Sequence, residues 1–493
     1  MHGQLIERVR RLRQRSMATA SNLHSNDRPR RAASLGLVAI KLALAFFLSL
    51  AGGLCAAQEI APDAQSENDV AQMTPGNDEP EPSNVDVQRQ LRQLQLDVTG
   101  LEDAEKTKKA ADEKKPTTRW SAELQLDDYH FAQDANSIAT VGDIPQGAAF
   151  RRARVAMLGD YSIAEYRLEV DFAQPGRPTF LDVWGAVKDL PVLGQVKVGN
   201  FFEPFGLERL TSNRYAPFME RNLPDQPFDP QRNPGIQASN QFTDLRGTSA
   251  IGAFRTRTDN FADSVTTVGG QSVTGRLTGL PYYDEPSGGR YYAHFGTAFS
   301  YRSTANQQVQ FEAQPEARLG AAIPNVPFFV NTGTISARAF QLYGLETVAS
   351  FGSLWVQSEL YCVPVDRLDG PSPTFYGWYA QSGYFLTGEH KPYRRETATI
   401  DRVQPLGEFF RVRTNRGIAT GYGAWEVATR VSHLDLNSQG IAGGRLTDFT
   451  VGLNWYLNPY LRVTSNYVHA FLDSPTNGVS GTDIFGMRMQ FEY

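Results

Sequence analysis

The chain has 493 residues, 11% of them aromatic, with 43 Gly, 28 Pro and a formal net charge of −5. Its mean hydropathy of −0.38 excludes a bundle of membrane-crossing helices, but not a β-barrel, where half of each strand is polar. The acidic balance argues against nucleic acid as a partner. The two cysteines, Cys55 and Cys362, supply neither a disulfide framework nor a cysteine metal site.

Residues 42–54 form the only long apolar run, too short to span a bilayer comfortably. A basic segment precedes them and Cys55-Ala56-Ala57 follows, the layout of a signal peptide over residues 1–57 with cleavage expected after Ala57. The long basic stretch leaves both Met1 and Met17 open as the start. A lipoprotein reading, with Cys55 acylated, is disfavoured by Leu54, where such sites want a small residue. Residues 1–57 carry nine Lys/Arg against two Asp/Glu, a net of +7, so the remainder of the chain stands at −12.

Residues 58–86 contain eight acidic residues and no Lys or Arg, and read as a disordered spacer. Val87, Leu91, Leu94, Val98 and Leu101 then repeat at heptad spacing, so 87–115 is expected to hold a short periplasmic helix. Two heptads do not stand alone. A coiled coil between copies and a single amphipathic helix both remain open, and Pro116 ends either one.

From Trp120 the period becomes two. Trp120, Ala122, Leu124 and Leu126 alternate with Ser121, Glu123, Gln125 and Asp127; Tyr166, Leu168, Val170 and Phe172 alternate with Arg167, Glu169 and Asp171. Similar alternation marks 152–157, 181–188, 196–198, 290–302, 422–435, 446–458 and 460–472. Fainter alternation marks 234–241, 247–257, 307–319, 337–351, 353–364 and 374–386. The last stretch, Ile484 to Tyr493, sets Phe485, Met487, Met489, Phe491 and Tyr493 against Gly486, Arg488, Gln490 and Glu492. Such a ribbon needs a partner for its edge, and a barrel supplies one by pairing the last strand with the first. The pattern predicts an all-β, transmembrane antiparallel barrel of about sixteen strands over 116–493, preceded by the short coiled-coil helix. Trp120, Tyr161, Tyr166, Trp425, Tyr456 and Tyr460 fall near strand ends, as interfacial girdles do. A soluble sandwich would need a second sheet over every apolar row.

Residues 199–234 break the period with a stretch dense in aromatics and charge, too apolar for disorder. Inside a wide barrel such a loop folds into the lumen and narrows it.

Four stretches carry a family resemblance: Phe150-Arg151-Arg152-Ala153-Arg154-Val155; Val198 to Arg209 with Phe218-Met219-Glu220-Arg221; Gly383 to Glu389; and Gly423 to Ser432 with Gly452 to Pro459. From about Trp120 to Tyr493 the chain resembles the phosphate-selective porins O and P. The resemblance implies a sixteen-stranded, usually trimeric outer-membrane barrel with inward-folded loops and a constriction lined by arginines and a lysine. The terminal aromatic, Tyr493, also resembles the signal that outer-membrane assembly machinery reads.

Phosphate is strongly hydrated, so a selective pore must replace its water with charge-assisted hydrogen bonds, which a guanidinium fork provides. The candidates are Arg152, Arg154, Arg167 and Lys197 on inward strand faces, and Arg209, Arg214, Arg221 and Arg232 in the inserted loop. The alternative is that these arginines pair with Glu203, Glu208, Glu220 and Asp229 and staple the loop to the wall. Arg209 and Arg221, each beside a carboxylate in sequence, lean toward the staple. By parity Arg151 points outward, while Glu123, Asp127, Glu169 and Asp171 point inward, which tempers anion selectivity. His433 and His469 share the outward apolar rows and sit beside no strong serine motif, and no P-loop, HExxH or CxxC is present. An enzyme is therefore not expected, nor a cofactor or metal. The expected partners are outer-membrane lipid, inorganic anions and two further copies of the chain. A weakly selective general porin and a non-conducting envelope anchor stand as alternatives.

Overall fold

The computed structural model describes residues 92–93, 97–100, 116–173, 176–256, 270–321, 326–414 and 417–493. The expected signal peptide, acidic spacer and most of the heptad segment lie outside them; residues 92–93 and 97–100 of that segment are helical.

Sixteen long strands follow: β1 Thr117–Gln133, β2 Gly147–Tyr161, β3 Ala164–Asp171, β4 Thr179–Leu190, β5 Gly194–Phe202, β6 Arg232–Phe242, β7 Gly247–Arg255, β8 Gln271–Tyr283, β9 Tyr291–Ser303, β10 Ile335–Phe351, β11 Leu354–Arg367, β12 Thr374–Phe385, β13 Ala424–Ser438, β14 Ile441–Asn458, β15 Leu461–Ser474 and β16 Gly478–Glu492. Each pairs antiparallel with the next, and β16 returns to β1, Glu492 opposite Glu123 and Thr482 opposite Gln133. The barrel is closed, so the edge that the terminal ribbon would expose does not exist.

Alternation then sorts the side chains. Phe295, Phe299, Leu345, Leu453, Phe485, Met489 and Phe491 stand exposed on the outside, while Glu123, Asp127, Glu169, Asp171, Arg430 and Arg488 are buried on the inside. An apolar exterior around a charged interior is the arrangement of a membrane-spanning barrel. His433 and His469 do lie on the outward rows, bonded to Thr447 and Asp483.

Four sequence expectations change. Residues 307–319 form no barrel strand; they carry only the two-residue strands Gln308–Val309 and Glu312–Ala313 within a loop, and β8 takes their place in the count. The outward row of β8 is Val273, Gly275, Leu277 and Gly279, too thin in apolar side chains to announce itself. Arg151 faces inward: Gln125 lies opposite Arg152 and Leu126 opposite Phe150, so Arg151 is the extra residue of a β-bulge that turns it into the lumen. Tyr456 is no girdle residue; its ring is buried inside and its hydroxyl donates to Glu426. The period-breaking loop is 203–231, since β5 and β6 run into the 199–234 window from both sides.

Candidate functional site

Among the described residues three long connections fill much of the lumen. Loops 203–231 and 304–334 enter from one mouth; loop 386–423 enters from the mouth where both ends of the barrel lie. Phe205, Met219, Leu223 and Phe228 of the first loop and Phe311, Ala317 and Val330 of the second form one apolar core with Tyr361, Phe375, Leu434 and Val468 of the wall. Inward glycines make room for it. A Cβ on Gly344 would meet the Phe205 ring at 3.0 Å, on Gly377 the Pro224 ring at 2.7 Å, on Gly452 the Phe218 ring at 3.1 Å and on Gly486 the Met219 sulfur at 3.0 Å. Glycine inside a strand often marks such close approach.

Buried charge locks the loops to β10–β16. Arg430 donates to Glu316 of the second loop (2.5 and 2.8 Å) and Glu208 of the first (3.2 Å), with its guanidinium 4.4 Å from the Phe218 ring centre. Arg488 binds Asp127 and Glu220 at 2.6 and 2.9 Å. Glu359 caps the helical turn Leu207–Leu210, accepting from the amides of Leu207 and Glu208 at 2.9 and 2.8 Å. The third loop is tied by Arg276, which binds Glu346 and the Ala398 carbonyl, and by Tyr393, whose hydroxyl bonds His294. It meets the first loop where the Ile400 amide donates to Thr211 Oγ1 at 3.2 Å.

The opposite wall is different. On β3–β5 the inward Glu165, Arg167, Asp182, Lys188 and Lys197 keep contact with solvent, the Arg167 side chain 28% and Lys188 32% exposed, against 0% for Arg430. At the end of the same β5 strand Phe202 carries three guanidiniums at its ring, Arg232 at 3.9 Å, Arg209 at 5.6 Å and Arg221 at 5.9 Å from the centroid.

The eight sequence-predicted residues divide by partner. Arg154 pairs with Asp171 (2.8 Å) and Glu123 (3.6 Å), Arg167 with Glu169 (2.7 Å), Arg209 with Asp225 (2.7 Å), Arg214 with Glu123 (3.4 Å) and Arg232 with Asp182 (3.1 Å). Arg221 donates to the carbonyls of Glu208, Arg209 and Thr211 and lies 3.8 Å from Asp225. The staple therefore exists, but largely through Asp225, Asp182 and Glu123. Of the acids named in sequence, Glu203 binds Arg302, Glu208 binds Arg430, Glu220 binds Arg151, and Asp229 accepts from Tyr361. Two of the eight form no ion pair among the described residues. Arg152 is buried with its Nη1 on Gln125 (2.5 Å), and Lys197 sits over Trp184 at 4.4 Å and Phe201 at 5.2 Å.

Inward cations outside those eight include Arg151, Arg318 and Lys391. Arg151 binds Glu220 through Nε and Nη2 at 2.8 and 3.0 Å, placed by the bulge. Arg318, on the second loop, has its pKa lowered to about 10 by burial and by Arg151 and Arg209 nearby, and stays cationic at neutral pH. Lys391, on the third loop, lies 3.8 Å over Trp355, and burial lowers it to about 8. No local pattern marks Arg318 or Lys391; only the paths of their loops bring them inside.

Residues 121–493 match the family model described as phosphate-selective porin O and P. An uncharacterized protein of Caulobacter vibrioides is 27% identical over 329 residues, 65% of this chain and 62% of that protein, so the match spans less than two thirds of that relative's length. Porin O of Pseudomonas aeruginosa is 26% identical over 330 residues, 60% of this chain and 70% of that one. Among solved structures, the outer membrane channel DcaP of Acinetobacter baumannii overlaps 77% of this chain and 97% of its own at 10% identity and a TM-score of 0.48. An anion-selective porin from Comamonas acidovorans overlaps 77% and 100% at 14% identity and a TM-score of 0.45. At these scores the overlaps carry no weight for function.

Proposed function

The chain belongs to the phosphate-selective porin O and P family, and from that premise we propose that it forms a water-filled outer-membrane channel for passive diffusion of small anions, with phosphate or polyphosphate the favoured solute. The observation that carries the reading is the solvent-contacting row of Arg167, Lys197 and Arg232 on β3–β6, which continues through Arg232 into Arg209 and Arg221 at the Phe202 ring. Ion pairing does not exhaust these donors. Arg232 commits Nε and Nη2 to Asp182, and Arg167 commits Nε and Nη2 to Glu169, which leaves Nη1 of each for a passing anion. Among the described residues Lys197 forms no ion pair that an anion would have to displace. Several weak contacts in series suit conduction better than one tight site, because the ion must depart again.

A second reading has its own support. Glu165, Glu169, Asp171 and Asp182 on β3 and β4 balance Arg167, Lys188, Lys197 and Arg232, as a weakly selective general porin would have. In either reading the chain works as a homotrimer, exported by its signal peptide and assembled through the strand ending at Tyr493. Reversal potential in a planar bilayer under a KCl gradient, repeated with added phosphate, decides between them. Anion selectivity with chloride current blocked by phosphate supports the phosphate reading. Weak or cation selectivity overturns it and leaves the general porin. Absence of current from assembled protein overturns both and leaves the envelope anchor.

A further inference from the structure

On the β3–β6 wall aromatic rings, as well as carboxylates, hold the cations. Lys197 lies 4.4 Å from the Trp184 ring centre and 5.2 Å from that of Phe201. The larger case is Phe202. It is half-buried and ends β5 directly opposite Arg232, the first residue of β6. Three guanidinium carbons lie near its ring: Arg232 at 3.9 Å, Arg209 at 5.6 Å and Arg221 at 5.9 Å from the centroid.

Two carboxylates serve these three arginines among the described residues. Asp182 accepts from Nε and Nη2 of Arg232 at 3.1 and 3.2 Å, and it also lies 3.6 Å from Arg167. Asp225 accepts from Nη2 of Arg209 at 2.7 Å and lies 3.8 Å from Arg221. Arg221 also donates to three loop carbonyls, which hold it but do not neutralise it. The group therefore keeps a surplus of positive charge, and guanidiniums this close repel one another. The ring offsets that repulsion. Its π face is negative through a quadrupole and attracts cations, yet it carries no net charge. A carboxylate in its place would hold the arginines but cancel one of them. At 3.9 Å the Arg232 carbon is at contact distance from the ring, which leaves its N–H edge to Asp182 and, through Nη1, to an ion passing by.

We propose that Phe202 is a positioning residue of the anion path: its ring gathers the guanidiniums of Arg232, Arg209 and Arg221 and keeps their surplus charge available to anions in transit. This rests on the anion-channel reading above and assigns the arrangement of its charge to a neutral side chain. Selectivity then follows the electron density of the ring rather than its size. That dependence separates a platform for cations from a side chain that only fills space.

The test replaces Phe202 in the full chain with a trifluorinated phenylalanine, which keeps the shape of the ring and strips its face of negative potential. Reversal potential in a planar bilayer under a KCl gradient gives the chloride-to-potassium permeability ratio. That ratio should fall at least about twofold, with thermal stability unchanged. Phe202→Leu should lower it at least as far, and Phe202→Trp should retain it. A ratio that falls in Phe202→Leu but not in the fluorinated chain shows that the ring only fills space and overturns the proposal. So does a ratio unchanged in both. A second readout is independent of selectivity: phenylglyoxal modification of Arg232, mapped by mass spectrometry, should quicken at least about twofold in the fluorinated chain. If the unsubstituted channel shows no anion preference, the proposed function falls and this rate alone decides the platform. Faster modification then upholds the gathering of the arginines by the ring, and an equal rate overturns it.

Discussion

The β3–β6 wall and the β10–β16 wall are built from the same pattern, charged residues alternating inward, yet they have become different materials. On β10–β16 the lumen is packed like the interior of a soluble domain, and its inward arginines, such as Arg430 and Arg488, are fully buried against carboxylates. On β3–β6 the inward cations Arg167, Lys188, Lys197 and Arg232 stay in contact with solvent, although Glu169 and Asp171 beside them are buried. The inserted loops cause the difference: they lie on one wall, seal it and leave the other to line whatever space remains. A buried charge that loses its partner is costly, whereas a hydrated one is nearly indifferent to the loss. The same substitution should therefore break structure on one wall and change selectivity on the other.

The largest effect is expected from Arg430→Ala. It strands Glu316 and leaves Glu208 without its arginine, and breaking a buried pair of this kind costs about 3–5 kcal/mol. Loop 304–334 should become cleavable by protease, and single-channel conductance should rise as the plug loosens. Gly377→Ala tests the same wall without touching a charge. The new methyl group would lie 2.7–2.9 Å from Pro224, and overpacking costs roughly 1–3 kcal/mol. Loop 203–231 should shift, seen as broadened conductance states rather than release.

Lys391 gives the sealed wall a pH dependence. Its pKa inside is about 8 against 10.5 when free, so between those values the undocked loop binds more protons than the docked one. Docking of loop 386–423 should therefore strengthen as pH rises from 8 toward 10.5 and be flat below 8, read as slower proteolysis of that loop. Lys391→Met should remove the slope. The smallest structural effect belongs to the open wall. Lys197→Ala should change thermal stability by no more than about 0.5 kcal/mol while shifting the reversal potential toward cations. A destabilisation as large as that of Arg430→Ala would erase the distinction between the walls.

Much of this was legible in the chain. Period-two alternation is local, so fifteen of the sixteen strand positions could be read from it, and the polar rows told which residues face inward. The same signal also misled. Alternation reports a half-buried ribbon without saying what buries it, so Phe311, Ala313 and Ala317, alternating inside the plug, read as a lipid-facing strand. Strand β8 hid behind glycines, and parity failed at Arg151 because a single inserted residue flips the face. The inward glycines at 344, 377, 452 and 486 were a visible hint of close approach, but which loop side chain fills each notch is not a local property.

By itself the sequence determined a closed membrane barrel and a supply of inward arginines, because both follow from side-chain direction along single strands. Only the tertiary structure decided which of those arginines meet water. That depends on where three loops, entering from both mouths, come to rest against strands more than a hundred residues away, as when Glu208 and Glu316 converge on Arg430.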